Sequence, residues 1–157
     1  MKFSTRKDID APAAYVFERI ANFEALERQA MRRGIDVSRK DPAQPRDVGA
    51  GWTMKVPFRG KTRDIVAEVV TYCDPTNLVV AAKSGGLDMV LTADIVALSP
   101  KRTRLSLSYD IKPQTLSARI LVQSIKFAKG TLDRRFDRKI DQYGATMSDD
   151  YNKSLMS

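Results

Sequence analysis

Histidine is absent from this chain, and its absence removes several chemistries together. Histidine is the commonest general base near neutral pH and the commonest metal ligand. A zinc site, a Ser-His-Asp triad and a Cys-His dyad are therefore excluded. Neither a metal nor a cofactor is expected. Cysteine is nearly absent too: Cys73 is the single one, so no internal disulfide forms, which fits a reducing compartment. Nothing close to Cys73 in sequence would lower its pKa, and it reads as an inert buried thiol. No apolar run approaches the ~20 residues of a membrane span. The opening residues Met1 to Asp8 lack the apolar stretch of a signal peptide. A cytoplasmic protein is expected. Internal repeats, low-complexity tracts and an interdomain linker are missing as well.

What is present describes a folded domain. At 157 residues the chain is long enough for one hydrophobic core. Hydrophobic residues make up 43% and charged residues 29%, a globular rather than a disordered balance. Lys and Arg number 27 against 19 acids, a net charge of +8. Two readings follow: a mixed, soluble surface, or attraction to an anionic partner. Acids are interspersed with most basic clusters, which favours the first.

The periodicity changes twice. Phe3 to Ile9 reads as an edge strand. Pro12, suited to a first helical position, starts a helix with Val16, Phe17 and Ile20 inward. A second short helix spans roughly Glu24 to Arg33 and ends at Gly34 in a left-handed cap. Ile35 to Lys40 is a short strand, and a Pro- and Gly-bearing loop leads to Gly51. From there apolar residues alternate, as in Trp52, Met54, Val56 and Phe58, the signature of strands. Arg59-Gly60 and Gly85-Gly86 are two-residue turns. Asp74 to Asn77 reads as a four-residue loop.

Turn lengths fix a register. It pairs Phe58 with Lys61, Val56 with Arg63, Trp52 with Ala67, Cys73 with Leu78, Thr71 with Val80, and Ala82 with Met89. One face then collects Trp52, Met54, Phe58, Met89, Leu91, Leu107 and other apolar residues, with Arg63, Thr71, Cys73, Ser84 and Tyr109 among them. The opposite face is charged, as expected of an antiparallel sheet covered on one side. Past Pro113 the spacing becomes helical: Leu116, Ile120, Ile125, Ala128, Leu132, Phe136, Ile140 and Tyr143 predict one amphipathic helix over roughly Thr115 to Tyr143 that covers the sheet. Gly130 is a candidate bend in it, and the polar segment 146–157 is expected to fray as a disordered tail.

This order of elements, with Ile9-Asp10-Ala11-Pro12-Ala13-Ala14-Tyr15-Val16-Phe17 at the first strand and helix start, Gly49 to Trp52 and the Asp74-Pro75 turn, resembles the START-like superfamily, also called SRPBCC or polyketide cyclase/dehydrase-like. The resemblance covers residues 1–145. It implies an α+β helix-grip fold: a curved antiparallel sheet of about seven strands around a long C-terminal helix, with two short helices after the first strand. It also implies a cavity that binds lipids, steroids, polyketides or hormones. No catalytic motif of the family is matched, and a shared fold does not by itself carry a function.

Each candidate site residue has two readings. Arg63 pairs with a ligand carboxylate or phosphate at the cavity mouth, or extends to solvent. Tyr109 donates to a ligand carbonyl, or to backbone. Trp52 and Phe58 stack on a flat ligand, or fill core. Met54 and Met89 form a deformable cavity wall, or fill core. Leu91 and Leu107 complete the apolar lining. The charged run Asp133 to Asp141 reads as a solvated helix face, or joins Lys126 and Lys129 as a basic stripe for an anionic membrane. Nucleic acid is disfavoured, because no aromatic set is interleaved with the basic residues. The leading expectation is a binding module for a small hydrophobic or amphipathic molecule. The alternatives are an aromatase/cyclase-like enzyme and an accessory protein that docks on a membrane or a partner.

Overall fold

Alternating apolar residues and tight turns build a single seven-stranded antiparallel sheet. The computed structural model describes residues 1–156. The elements in chain order are β1 (Lys2–Ile9), α1 (Ala13–Ile20), α2 (Phe23–Arg32), β2 (Asp36–Arg39), β3 (Gly51–Phe58), β4 (Lys61–Cys73), β5 (Asn77–Ser84), β6 (Leu87–Ser99), β7 (Arg102–Pro113), α3 (Leu116–Lys126) and α4 (Lys129–Leu155). The strand order is β1-β7-β6-β5-β4-β3-β2. Consecutive hairpins run from β2 to β7, and β1 closes the far edge on β7. This is the expected helix-grip architecture.

Short local signals start and stop the helices. Asn22 caps α2 by accepting from the Ala25 amide, and Thr115 caps α3 by accepting from the Ala118 amide. Gly34, at φ +82°, ends the second helix as expected. The Arg59-Gly60 turn has both residues at positive φ, 51° and 75°. That geometry matches the twist of the flanking strands and gives the expected pairs Phe58–Lys61, Val56–Arg63, Met54–Ile65 and Trp52–Ala67.

Four expectations are corrected. First, the β4–β5 loop is one residue shorter than expected, with Cys73 opposite Asn77, and a bulge lies between Val69 and Thr71. Tyr72, not Thr71 or Cys73, therefore packs on the core, and Cys73 is exposed. Second, the long helix is broken at Phe127–Ala128: the Ala128 amide bonds back only three residues, to Ile125, a tightening that ends α3. The break falls two residues before Gly130. Third, Leu116 and Ile120 point outward, 74% and 64% exposed. Ala118, Val122 and Ile125 are the buried face of α3. Fourth, residues 146–155 are the last turns of α4. They are held because Met147 is fully buried, the Tyr15 and Tyr151 rings meet edge to face, and Arg19 pairs with Asp150 at 2.9 Å.

The main core gathers Ile9, Val16, Phe17, Phe23, Trp52, Val69, Leu105 and Met147. A second cluster centres on Phe3, Leu87, Met89, Ile111, Ala118 and Val122. α4 lies along β1, where Asp137 accepts from Thr5 and pairs with Lys7 at 3.1 Å. Held at that edge, α4 packs on β1 and α1, and room remains between it and the inner face of the sheet.

Candidate functional site

Leu91 shows how much room. It sits in mid-strand on the inner face, opposite Val80 on β5 and Tyr109 on β7, yet it is 36% exposed. A leucine there would be covered in a filled core. Two adjoining cavities occupy the space between sheet and helices. The first, about 440 Å³, lies between the β3–β4 hairpin, β6, β7 and the α3–α4 junction. The second, about 380 Å³, lies between α2, the centre of the sheet and Tyr143 of α4. Both volumes fall in the range of small-molecule sites.

The expected site residues divide between them. Phe58, Arg63, Met89 and Tyr109 line the first cavity. Trp52, Met54, Leu91 and Leu107 line the second. The directly opposed pair Leu91 and Tyr109 marks where one gives way to the other.

The polar groups of the first cavity are few. The Arg63 guanidinium lies 5.7 Å from the centre of the Phe58 ring, within cation–π range. Its Nε is buried with no hydrogen-bond partner, and it makes no ion pair among the described residues. Arg59 reaches the same ring at 5.4 Å and donates to the Ser124 hydroxyl of α3. Two guanidinium groups thus flank one aromatic ring at the rim. Among the described residues Tyr109 bonds neither backbone nor any carbonyl; its hydroxyl donates to the Met89 sulfur at 3.2 Å. A thioether is a weak acceptor, so little holds that hydroxyl. Burial raises the Tyr109 pKa above its ordinary value.

The second cavity is apolar except at one end. There Trp52 Nε1 donates to Glu27 at 2.9 Å, and Arg39 Nε donates to the same carboxylate at 2.6 Å. Arg39 and Arg46 both reach Glu24, at 3.3 and 2.7 Å. The Glu24 carboxyl is pulled down to about 2, first by its backbone hydrogen bond and then by Arg46 and Arg39. These carboxylates are already engaged, and the network ties α2 to β2 and the following loop. The Trp52 ring also meets Phe23 edge to face, centroids 5.0 Å apart.

Sequence reasoning placed the sheet's contribution and missed what the helices add. Phe23, Leu26 and Ala30 of α2 line the second cavity; their spacing of three and seven residues was the available signal. Leu121 and Ile125 of α3 line the first. No group of three or more His, Cys, Asp or Glu side chains among the described residues is placed to hold a metal ion. No helix among them is long and apolar enough to cross a membrane.

The family model described as "Polyketide cyclase / dehydrase and lipid transport" matches residues 1–145. No curated protein matches the chain. Solved structures similar to it include TTHA0849 from Thermus thermophilus, at 13% identity and a TM-score of 0.66, covering 94% of this chain and 97% of that one. The ZhuI aromatase/cyclase from Streptomyces sp. R1128 is similar at 15% identity and a TM-score of 0.58, covering 85% and 88%. A norcoclaurine synthase point mutant from Thalictrum flavum, in complex with a transition-state analogue, is similar at 10% identity and a TM-score of 0.62, covering 87% and 90%. At these identities the likeness is one of fold.

Proposed function

This chain belongs to the polyketide cyclase / dehydrase and lipid transport family, and from that premise we propose that it binds a small amphipathic molecule with an anionic head group. The apolar part lies along the inner face of the sheet, over Met89 and Leu91, and extends toward Trp52, Met54 and Leu107. The head group meets Arg63, with Phe58 beneath it. The observation that carries this reading is the Arg63 Nε, buried and unpartnered at the wall of a mostly apolar cavity. A buried donor on a charged group is costly when left unmade, and a carboxylate or phosphate oxygen would satisfy it. Binding without turnover is favoured over cyclisation. The carboxylate at the second cavity, Glu27, is already held by Trp52 and Arg39, and burial raises the pKa of the tyrosine of the first, which keeps its hydroxyl protonated and a donor near neutral pH.

Native mass spectrometry of gently purified protein, followed by denaturing extraction, tests the reading. A stoichiometric adduct of amphiphile mass is expected. It should be lost in Leu91→Trp, which fills the space, and weakened in Arg63→Gln. A clean unliganded mass, together with failure to take up any long-chain carboxylate added in solution, would reject the proposal.

A further inference from the structure

α3 is apolar on two opposite sides, and the protein covers only one of them. At roughly 100° per residue, Ala118, Leu121, Val122 and Ile125 centre on the side that faces the sheet. Leu116, Ile120 and Phe127 fall within about 60° of one another on the other side. They are 74%, 64% and 94% exposed. Large side chains this open, aligned on one helix, form a patch rather than scattered surface residues. Arg119 and Lys126 lie side by side along one flank of it, both exposed and without an ion pair among the described residues. On the other flank Ser124 receives the hydrogen bond from Arg59, which brings the β3–β4 tip and exposed Lys61 beside the helix. From Lys112 to Leu132 the chain carries Lys112, Arg119, Lys126 and Lys129 and no acid.

We propose that this face of α3, with the β3–β4 tip, docks on the surface of an anionic lipid bilayer, Phe127 and Ile120 entering the acyl boundary while Arg119, Lys126, Arg59 and Lys61 meet the head groups. An exposed apolar ridge flanked by cations of one sign is how interfacial helices bind such surfaces. A second copy of the chain is a poor occupant, because a two-fold contact would set this basic rim against itself. The docked face lies at the rim of the first cavity, whose wall includes Phe58, Arg59 and Ala128. Docking is read without reference to what the cavity holds, so it stands or falls separately from ligand binding.

Vesicle flotation with the intact chain decides it. Wild-type protein should float with vesicles of equal parts phosphatidylglycerol and phosphatidylcholine and stay with the buffer when phosphatidylcholine is alone. Raising the salt from about 0.1 M to about 1 M should release it, since the screening length falls to roughly 3 Å. Charge reversal of Arg119 and Lys126 together (R119E/K126E) should weaken partitioning by about fivefold or more per residue. Ile120→Ser with Phe127→Ser should weaken it by about tenfold or more. Lys101→Glu, in the β6–β7 turn at the opposite end of the sheet, should leave it unchanged. All these side chains are exposed, so unaltered circular-dichroism melts should accompany the losses. Equal binding to neutral vesicles, undiminished binding by R119E/K126E, or a wild-type dimer that Ile120→Ser/Phe127→Ser dissolves in the absence of any vesicle binding would each overturn the proposal.

Discussion

Val56 and Arg63 are opposed across the β3–β4 hairpin, so the guanidinium rises from the same sheet face as the apolar lining and comes over the Phe58 ring rather than out to solvent. The turn between them fixes this: with two residues in the loop, parity leaves Arg63 no other face.

That placement makes ligand discrimination measurable. Displacement of a fluorescent fatty acid should show Arg63→Gln binding a long-chain carboxylate more weakly. A hydrogen bond to a charged group contributes about 1.5–3 kcal/mol, a loss of roughly ten- to a hundredfold. The corresponding uncharged alcohol should bind both proteins alike. Equal loss for acid and alcohol would mean that Arg63 shapes the cavity without contacting the head group.

Trp52 is the only tryptophan, and it lines the second cavity and not the first. Its fluorescence is therefore a position-sensitive reporter. A ligand whose tail crosses under Leu91 should shift Trp52 emission on titration. A short-chain ligand confined beside Arg63 and Tyr109 should leave the emission unchanged while still displacing the probe.

Acid stability should depend on Glu24. Its folded-state pKa is lowered from 4.5 to about 2. A depressed carboxyl stabilises the fold fully above its unfolded value and loses that contribution as pH falls through its folded value. Stability should therefore drop between about pH 4.5 and pH 2. Urea titrations at pH 6 and pH 3 should show a smaller drop for Glu24→Gln than for wild type. The Glu24 side chain is 45% exposed, so solvent screening keeps the difference modest.

The last turns of α4 should behave as core. Met147 is fully buried among Ile9, Val16 and Leu105 in the main cluster. Met147→Ala should cost about 2–5 kcal/mol in chemical unfolding. A loss under ~0.5 kcal/mol, within the range of surface substitutions, would show that α4 stops contributing before residue 147.

What the sequence made readable was set by local rules with few solutions. The Arg59-Gly60 turn and the alternation of Trp52, Met54, Val56 and Phe58 leave one register, and the register leaves one inward face. α3 offered no such choice. Leu116, Ile120 and Phe127 are as well spaced as Ala118, Val122 and Ile125, and a helix with two apolar sides does not announce which will face the sheet. The expected covering stripe took Leu116 and Ile120 from the wrong one. The polar segment after Ala145 hid its single deep anchor, Met147, among charged neighbours. Pattern also says which residues face inward but not whether the space between them is filled. Leu91, inward yet over a third exposed, follows from the position of α4 on β1, a long-range contact that no local spacing encodes.

The bulge between Val69 and Thr71 makes β4 sensitive to length more than to composition. Upstream of it odd-numbered residues such as Ala67 and Val69 face inward; downstream Tyr72 does. Removing the extra residue there would restore plain alternation and leave Tyr72 inward, whereas removing one elsewhere in β4, with the bulge kept, would turn Tyr72 outward and send its neighbours into the core. When this chain is aligned with others of its family, a gap in β4 is therefore not neutral spacing. Its placement decides which downstream residues are counted as cavity wall and which as surface.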